Sequence, residues 1–194
     1  MTTFIPTIIK ETSNGYNTLP IESEMLNSRK IFCTGEINSE SVNNLILQLM
    51  YLESVDSTSP IFLYINSGGG EVQSGLALYD VMQSLESPVH TVCMGMAASM
   101  AAILFAAGDK RLMLPHSKIM IHDPLVTSIS GSALNVQKSS EMLMNTRNLT
   151  AEILAKHTGK TTEEILLKTC TDCYMTADEA ISFGISDETI TKLV

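Results

Sequence analysis

Short apolar runs typical of buried strands alternate along this chain with segments of helical spacing, and glycines mark two of the junctions. Residues 60–66 form one run, which leads through three glycines into apolar positions that follow one helix face over 72–85. Residues 89–93 form another, which leads through Gly95 into a small-residue helix over 99–107. Strands that alternate with helices pair in parallel through right-handed crossovers, so the pattern predicts an α/β fold of repeated strand–helix units.

Weaker patterns extend this alternation. Residues 31–33 are predicted to form a short strand that ends at Gly35, and Ser41 is predicted to cap the next helix. Residues 111–114 and 118–122 predict two further strands. The core face of the capped helix is expected to comprise Val42, Leu45, Ile46, Leu49 and Met50.

The two ends of the chain have their own patterns. Residues 1–25 contain an Asn-Gly pair and predict a turn-rich segment. Residues 133–157 predict a long, mostly polar helix that stops at Gly159. Capping boxes predict the starts of the last two helices, at Thr161 with Glu164 and at Thr176 with Glu179. Since no linker-like stretch divides the chain, we expect one domain over residues 1–194.

Charge and cysteine content argue against several classes of protein. Twenty-one acidic and 12 basic side chains give a net charge of −9 with no basic cluster, which argues against nucleic-acid binding. Four cysteines in 194 residues do not suggest a disulfide framework. The first ten residues resemble neither a signal peptide nor a membrane anchor. We therefore expect a cytoplasmic protein with no membrane or nucleic-acid partner.

The two glycine-containing junctions can present unpaired backbone amides. A turn at the carboxyl end of a strand, followed by the positive end of a helix, can bind a phosphate or stabilise an oxyanion. Residues 66–72 lack the Lys and the hydroxyl residue of a phosphate loop, and the G-x-G-x-x-G spacing is absent. An oxyanion site and an ordinary tight turn both remain open for this junction.

Ser99 lies at the predicted start of a helix, after Gly95 and between small alanines. A serine at this place is commonly an N-cap. It can also be a nucleophile, with the amide of Met100 helping to hold developing negative charge. The G-x-S-x-G elbow is absent and lends no support.

A nucleophilic serine needs a base, and four histidines are candidates. His90 lies in a predicted strand, His116 in a turn and His157 in the last turn of a helix. His122 ends the strand 118–122, from which its ring can project into a cleft.

A carboxylate must orient that base. Asp172 precedes a helix cap, and Asp123 adjoins His122, although a surface role is the simpler explanation of either. Cys170 and Cys173 could form a zinc or redox pair, but no second ligand pair accompanies them, and we expect two reduced thiols and no metal.

Several stretches, in this order, resemble the ClpP serine peptidases, the proteolytic subunits of the ATP-dependent Clp protease. They span nearly the whole chain: FIPTIIKETSNG, RKIFCTGEI, LYINSGGGEVQSGLALYDVMQ, TVCMGMAASMAAILFAAG, LMLPHSKIMIHDP, LAKHTGKTTEEI and DCYMTADEAISFGISDE.

The resemblance implies a ClpP/crotonase-like fold and a Ser-His-Asp triad. Carried onto this chain, the triad consists of Ser99, His122 and Asp172. The oxyanion hole matches the amides of Gly70 and Met100. No cofactor is implied.

The resemblance also implies an assembly. Residues 133–157 match the protruding handle helix that joins two heptameric rings, and residues 1–25 match the axial pore loop. Phe62 and Tyr64 match the docking pocket for a Clp-type AAA+ ATPase, which feeds unfolded polypeptide substrates into the enclosed chamber.

Some positions depart from the family pattern. Cys170 and Thr171 replace an acidic residue and an Arg that pair across the ring interface, and Asp123 would add negative charge nearby. The other departures are Gly68 for Pro, Met96 for Gln, Ala101 for Gly and Asp123 for Gln. Two alternatives follow: a weakly active or regulatory paralogue in mixed rings, and a crotonase-like acyl-CoA enzyme.

Overall fold

The computed structural model describes residues 6–13 and 15–193. Its strands are β1 (Thr7–Thr12), β2 (Gly15–Pro20), β3 (Lys30–Ile37), β4 (Ile61–Gly70), β5 (Val89–Ala98), β6 (Lys110–Met113), β7 (Lys118–Ile121), β8 (Cys173–Met175) and β9 (Glu188–Thr189). Its helices are α1 (Ile21–Asn27), α2 (Ser39–Val55), α3 (Val72–Ser84), α4 (Met100–Ala106), α5 (Ala133–Thr158), α6 (Thr162–Thr169) and α7 (Ala177–Phe183).

A seven-stranded, mostly parallel sheet organises the chain. Its main path runs β3-β4-β5-β6-β9, β7 pairs with β5, and β8 pairs with β7. Only the β7–β8 pair is antiparallel among the described pairs of this sheet. The predicted α/β fold of strand–helix units is confirmed, and it is the fold expected of the ClpP family.

The core forms where the apolar runs of β4 and β5 meet helices α2, α3 and α4. Every residue of α4 is buried, as are Leu63, Ile65, Val92 and Cys93 on the central strands. Small side chains let α4 lie close to the sheet, and a close-packed interior of this kind holds the adjoining backbone rigidly.

The start of α2 differs from the prediction. β3 does not end at Gly35 but continues, after a bulge between Thr34 and Glu36, to Ile37. Asn38, not Ser41, caps α2, because its side chain accepts hydrogen bonds from the amides of residues 40 and 41. Ser41 completes this capping box, since its hydroxyl accepts the Asn38 amide. Met50 is 57% exposed and does not belong to the core face.

The central strands run further than the apolar pattern indicates. β4 continues through the glycines to Gly70, and β5 continues to Ala98, with a register shift between them after Ile65. Gly70 has a φ of 154°, and a Cβ there would lie 2.1 Å from the Ile37 carbonyl oxygen. Only glycine therefore allows β4 to pack against the end of β3 at this point.

The long helix α5 extends one residue beyond its predicted end, and Gly159 in a left-handed conformation stops it as expected. Its buried residues lie in its second half, at Thr150, Ala151, Ile153 and Leu154. The residues of its earlier turns are mostly exposed. Both predicted capping boxes, at the starts of α6 and α7, are confirmed.

The predicted turn-rich segment contains regular structure. β1 and β2 form an antiparallel hairpin that leads into α1, and Lys10 on the hairpin pairs with Glu24 on α1 at 2.5 Å. Residues 1–5 and Asn14, the first half of the Asn-Gly pair, lie outside the described residues. Among the described helices, none combines the length and apolar character needed to cross a bilayer.

Candidate active site

Ser99 lies between the end of β5 and the start of α4 in a strained backbone conformation. Its φ of 55° and ψ of −123° are unusual for a residue with a side chain. Such a conformation costs on the order of 1–3 kcal/mol and persists only where the surrounding structure imposes it. Although Ser99 occupies the N-cap position of α4, its side chain makes no capping hydrogen bond. The N-cap interpretation of the hydroxyl is therefore wrong.

Strand register brings His122 beside Ser99. β7 runs parallel to β5 with Ala98 opposite Met120, and the Ser99 amide donates to the Met120 carbonyl at 2.9 Å. The next residues on both strands therefore meet at the same edge of the sheet. His122 Nε2 lies 2.8 Å from Ser99 Oγ, and the His122 side chain is only 11% exposed. With its proton on Nδ1, the ring can accept the serine hydroxyl through Nε2.

Asp172 reaches the other nitrogen of the same ring. β8 pairs antiparallel with β7, with Cys173 opposite Ile121, so the residue before β8 arrives next to His122. Asp172 Oδ1 lies 3.4 Å from His122 Nδ1, which is longer than an ordinary hydrogen bond. The Asp172 side chain is 58% exposed. Catalytic hydrogen bonds are often long in the absence of substrate and shorten in the reacting complex.

Asp123, the other candidate carboxylate, has different partners. Its Oδ2 lies 2.5 Å from Arg147 Nε, and its Oδ1 accepts the Thr169 hydroxyl at 2.7 Å. Asp123 thus ties α5 to the end of α6 instead of orienting His122. Within this chain, Arg147 therefore balances the negative charge of Asp123.

The remaining histidines are accounted for by other contacts. His90 meets the edge of the Phe62 ring at 5.3 Å, and burial lowers its pKa. His157 lies 3.1 Å from the Tyr79 hydroxyl, and burial together with nearby Lys156 lowers its pKa. His116 is exposed in the turn between β6 and β7.

Two backbone amides are candidates to hold an oxyanion near Ser99, those of Gly70 and Met100. The Glu71 amide donates to Ile37 on β3 at 2.8 Å, which fixes the end of β4 next to Gly70. Met100 is the first residue of α4, where an amide has no acceptor within the helix. Two such donors can hold negative charge on a carbonyl oxygen.

Gly69 is a residue that the motif analysis did not single out. A Cβ at this position would lie 2.8 Å from Ser99 Cβ and 2.7 Å from the Ala98 carbonyl oxygen. The backbone of β4 therefore lies directly against the turn that carries Ser99, with no room for a side chain. In the sequence, only the glycine run could have suggested such a close approach. The φ of 97° that requires glycine here is visible only in the structure.

A recess beside Ser99 lies next to a larger cavity, and Val72 lines both. The recess is lined by Val72, Ser99, Met100, Ile103, His122, Pro124 and Thr150. The cavity, of about 500 Å³, lies between the start of α3, the segment after His122 and the protruding part of α5. A polypeptide that reached Ser99 would thus have space for side chains next to it.

Phe62 and Tyr64 belong to a second apolar cluster, separate from the main core. Leu63 and Ile65, which alternate with them on β4, face the main core. Tyr64 is buried and stacks on Phe32 at 5.2 Å, whereas Phe62 is half-buried. The cluster is completed by Val92 and Leu112, with Phe62, Met94 and Ile190 packed against it. Phe62, at the edge of this cluster, is only partly buried.

Cys170 and Cys173 are free thiols on either side of Asp172. Cys170 is exposed and its Sγ donates to the Leu167 carbonyl at 3.0 Å. Within the described part of the chain, no group of three or more His, Cys, Asp or Glu side chains could hold a metal ion.

A comparison with known protein families identifies the family of this chain. A family model described as Clp protease matches residues 13–193 of the 194-residue chain. The match includes all the residues of the site.

Proposed function

Since the chain belongs to the Clp protease family and is a ClpP-like peptidase, we propose that it is an active serine endopeptidase whose triad is Ser99, His122 and Asp172. The observation that carries this proposal is the 2.8 Å contact between Ser99 Oγ and His122 Nε2 at a strained strand–helix turn. Backbone strain of this kind lowers the stability of the fold, and it is found mainly at residues that react.

The proposed mechanism uses this contact directly. His122 Nε2 takes the hydroxyl proton as Ser99 Oγ attacks the scissile carbonyl carbon, and the carbonyl oxygen becomes an oxyanion. The amides of Gly70 and Met100 donate to that oxygen. His122 then gives the proton to the leaving amine, and water hydrolyses the acyl-enzyme by the same route in reverse. Asp172 keeps the His122 proton on Nδ1 and stabilises the charged ring.

The assembly is proposed to enclose these sites in a cytoplasmic chamber. One peptidase domain over residues 1–194 would form heptameric rings that stack in pairs, with residues 133–157 as the handle and residues 1–25 at the axial pore. The handle supports this proposal because it exposes apolar side chains that a second copy would cover: Leu134, Val136, Met144 and Leu149.

The enclosed-chamber proposal predicts a difference between substrates. The assembled chain should hydrolyse short fluorogenic peptides unaided, whereas a stable folded protein should survive unless a Clp-type ATPase and ATP are supplied. The reason is that a narrow axial pore admits an extended chain but not a folded domain. Peptide fluorescence and gel analysis of the folded substrate measure the two rates. Rapid loss of the folded substrate without ATP would contradict the chamber.

Phe62→Ser provides the matched variant for the ATP-dependent reaction. Phe62 is half-buried in the second apolar cluster, and aromatic anchors usually carry most of the binding energy of a docking site. The variant should lower ATPase binding and degradation of folded protein while peptide hydrolysis continues. Tyr64→Ser should act in the same way but also removes a buried ring, so Phe62 is the cleaner choice.

A second candidate, the weakly active or regulatory paralogue, is favoured by Cys170 and Thr171. Both are exposed beside Asp172, where the resemblance implies a charged pair between rings. Thr171 cannot make the bidentate contact that Arg makes with a carboxylate. We therefore predict that this chain alone forms a less stable double ring than is usual for its family.

The test is sedimentation of the wild type beside the double variant Cys170→Asp with Thr171→Arg. A single exposed ion pair contributes about 0.3 kcal/mol. Each of the fourteen subunits in two stacked rings of seven would contribute one such pair, so the pairs together add about 4 kcal/mol, which lowers the dissociation constant between rings about a thousandfold. High salt should remove the gain. If the wild type already sediments as an active double ring at sub-micromolar concentration, the prediction is wrong and contacts of α5 suffice.

A further inference from the structure

The cavity of about 500 Å³ adjoins the recess at the proposed reacting centre. Val72 lines both spaces, and Leu125 of the cavity directly follows Pro124 of the recess. On α5, Thr146 of the cavity lies one turn before Thr150 of the recess. A substrate side chain next to the scissile bond would therefore lie close to the cavity.

The cavity wall is mostly apolar, with a few polar residues and one carboxylate. Most of the lining is apolar and comes from Val72, Leu125, Val126, Ile129, Met142 and Leu143. The remaining lining residues are Gln73, Ser139, Thr146 and Glu71, so a single carboxylate is the only charged group among them. An occupant that matches such a lining is long and aliphatic, with a cation at one end.

Glu71 has no cationic partner among the described residues. It occupies the N-cap position of α3, where the helix dipole favours a negative charge, but it makes no side-chain capping bond. Its Oε2 accepts the Ser74 hydroxyl at 2.7 Å. The ion pairs of the described residues leave Glu71 without a cation. A carboxylate offers about four acceptor positions, so this one bond leaves capacity for a ligand.

The position of Glu71 is also constrained. Its amide is bonded to Ile37 at 2.8 Å, which fixes its backbone one residue after Gly70. The negative charge of its carboxylate, so close in sequence to the proposed oxyanion donor, would not assist a developing oxyanion. A cationic group from the substrate would compensate that charge.

We propose that this cavity binds a Lys or Arg side chain of the polypeptide substrate, with the aliphatic stem against the apolar wall and the cation at Glu71. The inference rests on the proposed peptidase function and adds a substrate preference to it. It makes Glu71 a specificity-determining residue.

The test compares peptides that differ only in the terminal charge of one side chain. Lys or its uncharged analogue norleucine is placed in turn at each of the three residues before the scissile bond of a fluorogenic peptide. At one of these positions the wild type should favour Lys about fivefold in kcat/KM, the value expected for about 1 kcal/mol from a partly exposed ion pair. Glu71→Gln, which keeps the shape of the side chain and a bond to Ser74, should abolish the preference.

Glu163→Gln is the matched control. Glu163 is an exposed carboxylate in the first turn of α6, so its loss changes the net charge equally while leaving the cavity intact. This variant should keep the Lys preference, and higher salt should reduce the preference in the wild type. An equal Lys-to-norleucine ratio in the wild type and Glu71→Gln at all three positions would overturn the inference.

Binding separates this inference from the proposed function. The same peptides are titrated by fluorescence anisotropy into the full chain carrying Ser99→Ala, which needs no turnover. If Ser99→Ala binds the Lys peptide more tightly than the norleucine peptide and Glu71→Gln removes this difference, the cavity assignment is supported. This holds even if the wild type neither reacts at Ser99 nor cleaves peptide, because that failure would refute only the proposed function. Turnover and Ser99 labelling without a Lys preference would refute only the cavity assignment.

Discussion

Ser99→Ala is expected to abolish labelling by a fluorophosphonate and to lower peptide turnover by about 10⁶-fold, the loss that accompanies removal of the nucleophile in another serine protease. The reason is the 2.8 Å contact of Ser99 Oγ with His122 Nε2, which supplies the base that an unreactive hydroxyl needs. Mass spectrometry of the labelled chain and initial rates on a fluorogenic peptide measure the two effects. Ser84→Ala, which removes an exposed hydroxyl bonded to the Val81 carbonyl, is the control and should keep both activities.

Backbone strain at Ser99 gives this experiment a second readout. Ser99→Gly and Ser99→Ala both lack the hydroxyl, but glycine adopts a φ of 55° without the cost that alanine has. Ser99→Gly should therefore have a free energy of unfolding about 1 kcal/mol higher than Ser99→Ala. A wild-type chain that forms rings yet resists labelling would contradict the active triad and favour the regulatory paralogue.

Asp172→Asn is expected to leave the assembly intact and to lower turnover by about 10⁴-fold. The amide of an asparagine would donate to His122 Nδ1, so the ring proton would move to Nε2, where it blocks acceptance of the Ser99 hydroxyl. The contact between Asp172 and His122 is the weaker one of the triad, because the atoms are 3.4 Å apart and Asp172 is exposed. The turnover of Asp172→Asn therefore shows whether this contact tightens when substrate binds. Initial rates and sedimentation are compared between the variant and the wild type.

Asp123→Asn is the matched control, because it removes the same charge one residue from His122. Its cost should fall on stability, through the bonds to Arg147 and Thr169, while turnover stays within about tenfold of the wild type. Inactivity of Asp123→Asn combined with activity of Asp172→Asn would reverse the proposed roles.

The fold class and much of the core follow from local patterns in the sequence. The apolar run of β4 and the helical spacing of α3 each reflect which side of one element is buried, and a periodicity of two or 3.6 residues records this. The capping boxes at Thr161 and Thr176 were predictable for the same reason, since both partners lie within three residues.

Short or partner-dependent elements could not be predicted in this way. β8 has three residues and β9 has two, too few for a periodicity, and both exist because an adjacent strand satisfies their backbone groups. The extension of β4 through its glycines likewise depends on contact with Ile37 and with the Ser99 turn, from parts of the chain about 30 residues away.

The candidate site shows the same division. The residue types and their order along the chain suffice to nominate Ser99 and His122, and the resemblance adds Asp172. The sequence alone left a capping serine as an alternative to a nucleophile and left Asp123 as an alternative to Asp172. Only the tertiary structure separates these possibilities geometrically, because the contacts that differ join residues 23 and 46 positions apart. Contacts at such separations depend on strand register and on the packing of α5 and α6, which no local pattern encodes.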